Sequence, residues 1–323
     1  MVRSMPSLPP ALRSRTARRV FNVASILLAA GLTALAGRHF ANTGWPLAGA
    51  DIPLAAAAGI LFLAAYAFKA FGWHRLFAPH ERPQPLALAV AGGAASVTGM
   101  ALPGRFDDAV RIAVVRRFPG RCLTTGVGTL CLSLFMLGLL DAAALMPLAS
   151  TAAFTAGTSW PVRVALGIVA LGGLAAAIII VGLPRFVRSG RLLRFRLARW
   201  MSERSTSPGE AWKAWVLILF SWLIRAVAVL FLLGALGVSL SFPMAIAFLV
   251  AGAASGALPV APAGAATQAG AGAGILMASG VTTSQALAFA VAAQVLVMLA
   301  GAAVIVFAAV WHGGQRLAVV RAG

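Results

Sequence analysis

The chain has 323 residues, of which 61% are hydrophobic and 10% charged, with a mean hydropathy of +0.93. A soluble globular protein carries about 25% charged residues, so this composition excludes a water-soluble fold and points to an all-α, polytopic membrane bundle. The net charge is +19, and 24 of the 26 basic residues are arginine. They stand in short blocks between long apolar runs, the pattern of loops facing anionic lipid rather than of a nucleic-acid surface.

Residues 1–19 carry Arg3, Arg13, Arg15, Arg18 and Arg19 and read as a basic cytoplasmic N-terminus. The apolar run after them lacks a good cleavage site and reads as an uncleaved first span. A helix needs about 20 apolar residues to cross a bilayer. Six windows qualify: 20–37, 52–71, 122–148, 162–183, 212–237 and 284–311.

Two further apolar stretches, 85–101 and 244–280, differ from the rest. Both are crowded with Gly, Ala and Ser, and Pro103, Pro259 and Pro262 break them. Proline removes a backbone donor and disfavours helix in the residue before it. Broken backbone at membrane depth survives only against protein or a watery cavity. Both stretches therefore read as re-entrant or broken helical segments.

Loop charge separates two topologies. Segment 102–121 holds Arg105, Arg111, Arg116, Arg117 and Arg121. If 85–101 dips in and returns, every basic loop stays inside, giving six full spans and two re-entrant segments, one from each face. Eight simple spans also keep both termini inside, but they place an arginine-rich loop outside. The uncharged segment 149–160 reads as external. The basic segment 184–211 reads as an amphipathic helix on the inner leaflet, with Phe186, Leu193, Leu197 and Trp200 at helical spacing. Residues 312–323, with Arg316 and Arg321, form a cytoplasmic tail.

An internal repeat favours the first topology. Ala94-Ala95-Ser96 followed by Pro103 recurs as Ala253-Ala254-Ser255 followed by Pro262, an offset of 159 residues. The same offset carries windows 52–71 and 122–148 onto later apolar windows. One transmembrane domain, 20–311, then consists of two repeats, about 20–148 and 162–311, joined by an external loop. Each holds three spans and one broken segment, so the two insert oppositely, as in the inverted repeats of many secondary transporters.

The densest polar content beside a helix break lies at Leu102–Arg111. Arg105 and Arg111 can fork onto phosphate oxygens, and a guanidinium suits a partly desolvated anion better than lysine. Asp107 and Asp108 can hold those arginines or take up protons. The partner segment, Leu258–Gln268, brings small side chains, Pro259, Pro262 and Gly264 at the break, and Thr267 and Gln268 as polar groups facing a cavity.

Arg225 lies near the middle of its window, where a charge costs roughly 2.5–3.5 kcal/mol. It reads either as a buried strut or as part of a headgroup path. Asp141, the carboxylate well inside another span, is its expected partner. Cys122 and Cys131 imply neither disulfide nor thiolate metal site. His39, His74, His80 and His312 have no metal-ligand spacing, and no phosphate-binding Gly-rich loop occurs. Neither metal nor cofactor is expected.

Residues 103–111 resemble the Pro-x-Arg-x-Gly-Glu-x-x-Arg signature of the lysylphosphatidylglycerol synthase transmembrane-region family, the flippase-like integral membrane proteins. Pro103, Arg105 and Arg111 match, while Asp107 and Asp108 replace glycine and glutamate. Residues 262–268 are similar to the family's Pro-Gly-Gly-x-Gly-Thr-Gln motif at Pro262, Gly264, Thr267 and Gln268, with Ala263 and Ala266 for glycines. Where many members follow it with a glutamate, this chain has Ala269 and Gly270. Phe71–Phe77, and Gly280-Val281 with Gln285–Phe289, also fit.

The resemblance implies a membrane protein that moves lipids or lipid-linked groups between leaflets. Joined to the loop charges and the basic residues beside the breaks, it gives the expectation of a plasma-membrane protein, both termini cytoplasmic, acting on an anionic phospholipid or polyprenyl-phosphate-linked lipid. The synthases add a large soluble C-terminal domain, and residues 312–323 leave no room for one, so a complete synthase is not expected. Two other classes stay open. One is a non-transporting scaffold with a membrane-protein or enzyme partner. The other is an intramembrane transferase, although seven acidic residues and scattered histidines make acid–base machinery sparse, so the expectation is not an enzyme.

Overall fold

A computed structural model describes residues 49–99, 106–118, 126–156, 159–188, 207–257 and 264–322. Among them are nine helices: α1 Ile52–His74, α2 Pro85–Gly99, α3 Phe106–Arg117, α4 Val127–Thr155, α5 Trp160–Arg188, α6 Pro208–Ala235, α7 Phe242–Ala257, α8 Gly264–Ala278 and α9 Thr283–Ala322. No strand occurs among the described residues. Five helices, α1, α4, α5, α6 and α9, are long and apolar enough to cross a membrane. The molecule is a polytopic helical membrane bundle. The window 20–37, the N-terminal segment and most of 184–211 lie outside the described residues.

Local chemistry sets the helix ends. Asp51 caps α1, its carboxylate accepting from the Leu54 amide at 3.1 Å, and Ser207 caps α6 by accepting from the Glu210 amide at 3.3 Å. The helix α3 carries Asp107 and Asp108 in its first turn and Arg116 and Arg117 in its last, matching both ends of the helix dipole. Gly237 and Gly280, with φ of 66° and 90°, terminate α6 and α8 in the left-handed conformation that glycine adopts without strain. The segment 149–160, expected to be loop, is helical through Thr155.

Contacts between helices fix their directions. The Asp51 amide donates to the Ala235 carbonyl at 2.9 Å, while Arg75 pairs with Glu210 at 3.3 Å. So α1 and α6 run antiparallel, with one end of the bundle at Asp51 and Ala235 and the other at Arg75 and Glu210. Lys69 meets Asp141, and Trp73 Nε1 donates to Ser133 Oγ at 3.0 Å. As α1 descends α4 ascends, so α4 starts at the Arg75 end. By contrast α9 runs parallel to α1: Gly59 lies beside Leu296, and Tyr66, two turns on, has its hydroxyl against Gly301.

These directions decide the two proline-broken segments. The chain leaves α1 and enters α4 at the Arg75 end, and α2 and α3, packed on each other, fill the interval. The chain leaves α6 and enters α9 at the Asp51 end, and α7 and α8 fill that interval likewise. At 15 and 16 residues and about 1.5 Å per residue, α2 and α7 reach roughly 22–24 Å, short of a ~30 Å hydrocarbon core. Each pair is a hairpin, and the two enter from opposite ends. A full crossing by α2, as in eight simple spans, would set α4 parallel to α1, whereas the two run antiparallel.

The repeat is visible in three dimensions. Moved along by 159 residues, α1, α2, α3 and α4 fall on α6, α7, α8 and α9. The contacts repeat as well: α2 packs on α9 of the other half, and α7 packs on α4. The mates α1 and α6 are antiparallel, the relation an inverted repeat requires.

Candidate functional site

The site grows from charges placed inside apolar helices. Lys69 on α1 reaches across to Asp141 on α4, Nζ to Oδ2 2.7 Å, with side chains about one-fifth exposed. The second carboxylate oxygen accepts from Trp222 Nε1 on α6 at 2.9 Å. Both Asp141 oxygens are therefore engaged, by two different helices.

Arg225 stands one turn beyond Trp222 on α6. Its guanidinium carbon lies 5.2 Å from the centre of the Trp222 ring and 5.7 Å from that of Tyr66. Such cation–π contacts contribute about 0.5–2 kcal/mol each, which offsets part of the cost of a charge at this depth. Its Nε is buried with no hydrogen-bond partner among the described residues. The expected Arg225–Asp141 pair is thus replaced by Lys69–Asp141. Lys69 is level with the carboxylate and Trp222 takes its other oxygen, so Arg225 packs on aromatic faces instead. Tyr66 is held by a 2.5 Å hydrogen bond to Ser96 Oγ on α2.

From the α2–α3 hairpin, Arg111 pairs with Asp108 at 2.7 Å and with Asp107 at 3.4 Å. Three, then four residues apart, the acids lie on the same helix face as the arginine. The guanidiniums of Arg225 and Arg111 both lie near enough to repel the Lys69 ammonium.

These groups line one cavity of about 1410 Å³, above the roughly 300–1,000 Å³ usual for a small-ligand pocket. It sits where the hairpins meet, with Ser96 from α2, Ser255 from α7 and Gln268 from α8 in its wall. Asp107, Asp108, Arg111, Asp141, Arg225 and Gln268, all singled out in the sequence, are brought together here. Thr267 is half-buried and is not part of the wall. Gly264 begins α8. Arg105, Pro103, Pro259 and Pro262 lie outside the described residues.

Sequence reasoning missed Lys69, Tyr66 and Trp222. Lys69 stands near the end of its apolar window, where a lysine passes for an interfacial anchor. The repeat offset offered a signal, because it carries Tyr66 onto Arg225.

The family model described as the lysylphosphatidylglycerol synthase TM region matches residues 22–310. The chain belongs to the lysylphosphatidylglycerol synthase transmembrane-region family. That match takes in α1 to α8 and nearly all of the apolar part of α9, so the whole cavity lies within the family domain. Of the two family-like segments, the first supplies Asp107, Asp108 and Arg111 and the second supplies Gln268. No curated protein and no solved structure matches the chain.

Proposed function

We propose that the protein is a flippase-like carrier, not an enzyme. It lets an anionic phospholipid or polyprenyl-phosphate-linked lipid cross the plasma membrane through the cavity between the hairpins. The observation that carries this reading is Arg225: a half-buried cation held over two rings, with no anion among the described residues to pair it. A guanidinium held in that way presents its edge to a phosphate, and its planar fork binds two oxygens at once. Lys69 and Arg111 add positive potential, while Asp141, Asp107 and Asp108 hold them in place. Both termini face the cytoplasm, with the Arg75–Glu210 end of the bundle on that side, because basic loops favour it.

The test is reconstitution into vesicles containing fluorescent phospholipid or polyprenyl phosphate. Intact protein is expected to redistribute one of them between leaflets, and Arg225→Gln to slow this by about 100-fold, the loss of a charge-assisted contact of roughly 3 kcal/mol. Unchanged distribution of both lipids, with and without a proton gradient, would reject the proposal. A scaffold would tolerate Arg225→Gln.

A further inference from the structure

The cavity has an opening, and the residues around it say what passes. Seven lining residues are exposed: six on α4 and α5, namely Cys131, Phe135, Gly138, Ala165, Ile168 and Gly172, and one, Gly256, at the end of α7. Phe135 is 56% and Ile168 63% exposed. The lining residues on α1, α2, α3, α6, α8 and α9 are all buried or half-buried. Since α4 and α5 are apolar spans, an opening in their surface meets hydrocarbon rather than water.

Space is available there. Around Gly138 and Gly172, nothing lies within 4 Å of where a Cβ would stand. Yet Asp141, one turn from Gly138, already touches Lys69 and Trp222. Charged interior and apolar opening therefore adjoin, and the ligand they fit has a charged head and a hydrocarbon tail.

Charge narrows the head. Among the described cavity residues, Asp141 neutralises Lys69, and Asp107 and Asp108 more than neutralise Arg111. Arg225 is left without a carboxylate partner, although three cations and three carboxylates sum to zero, so a single negative charge is the load the cavity takes most readily. A phosphodiester supplies that, whereas a phosphomonoester or diphosphate brings a second negative charge towards three carboxylates.

We infer that an acyl chain of a glycerophospholipid lies in the α4–α5 opening beside Gly138 and Gly172 while its phosphodiester meets Arg225. This rests on the carrier reading above and names its lipid class and its route.

Photo-crosslinking in vesicles tests it, using the full chain and phosphatidylglycerol with a diazirine midway along one acyl chain. Crosslinks are expected at Phe135, Ile168 and their neighbours, about tenfold denser than at Ile178 and Val181, which face outward on α5 away from the cavity. Arg225→Gln is expected to remove that excess, and so is the Gly138→Leu, Gly172→Leu double variant, each lowering it about tenfold, or some 1.4 kcal/mol. Equal labelling of opening and outer face, or an excess that survives Arg225→Gln, means ordinary surrounding lipid and overturns the inference. Denser labelling by a diazirine polyprenyl phosphate overturns the choice of lipid. Crosslinking needs no net transfer. A protein that labels as expected but moves no lipid would refute the carrier reading while leaving the binding route in place.

Discussion

Lys69, Asp141 and Trp222 form a knot tying α1, α4 and α6 together inside the apolar bundle. Removing one member of a buried ion pair leaves the other uncompensated and costs about 3–5 kcal/mol, whereas replacing both by apolar groups is often neutral. Partial exposure puts the cost here at the low end. Asp141→Ala alone should lower the unfolding midpoint in detergent clearly more than the double Lys69→Met, Asp141→Leu variant does. Arg225→Lys should transfer lipid as poorly as Arg225→Gln, since an ammonium keeps the charge but lacks the planar fork that takes two phosphate oxygens at once. Vesicle transfer assays on the two variants decide this. The sequence exposes Asp141 and Arg225 because each is a charge in an apolar run. It does not expose their partners, because adjacency of helices is a property of the packed bundle.

Between elements, α2 and α9 approach each other backbone to backbone. A Cβ at Gly93 would stand 2.6 Å from the Gly301 carbonyl oxygen, and one at Gly301 would stand 2.9 Å from that of Gly93. Backbone cannot yield as a flexible side chain does, so Gly93→Ala should cost about 1–3 kcal/mol, the usual penalty of overpacking. Gly59→Ala is the control: its Cβ would meet Leu296 at 3.6 Å, an ordinary contact, and the unfolding midpoint should hardly move. Both hairpins were legible from proline and small-residue content, since a lipid-facing span cannot leave the backbone groups at such a break unpaired. Helix ends were less legible. The absence of charge at 149–155 signalled an external loop, yet those residues extend α4, because an uncharged apolar segment serves equally well as more helix.

At the scale of the molecule, the hairpins' opposite entry fixes which loops share a side. Position 118 lies at the end of α3, where the Phe118 ring packs edge-on against His312 at 4.9 Å, on the same side as Arg75 and Glu210. Phe118→Cys in a Cys122→Ser, Cys131→Ser background should react with an impermeant maleimide only after the cells are opened. Labelling of intact cells would invert the assigned sidedness. Composition alone was enough to place the chain in a membrane. The 159-residue repeat was legible because four motif letters and two flanking windows kept one register. The cavity was not, because it lies between repeats and has no footprint in either alone.

The matched halves also bear on direction. The mates of Asp107, Asp108 and Arg111 at that offset are Ala266, Thr267 and Gly270, so two hairpins of one plan differ in their chemistry: one carries charge at these positions and the other none. Whatever polarity the passage has is then written in side chains on a single hairpin, and transplanting those three residues to the opposite tip is the change that would redraw it.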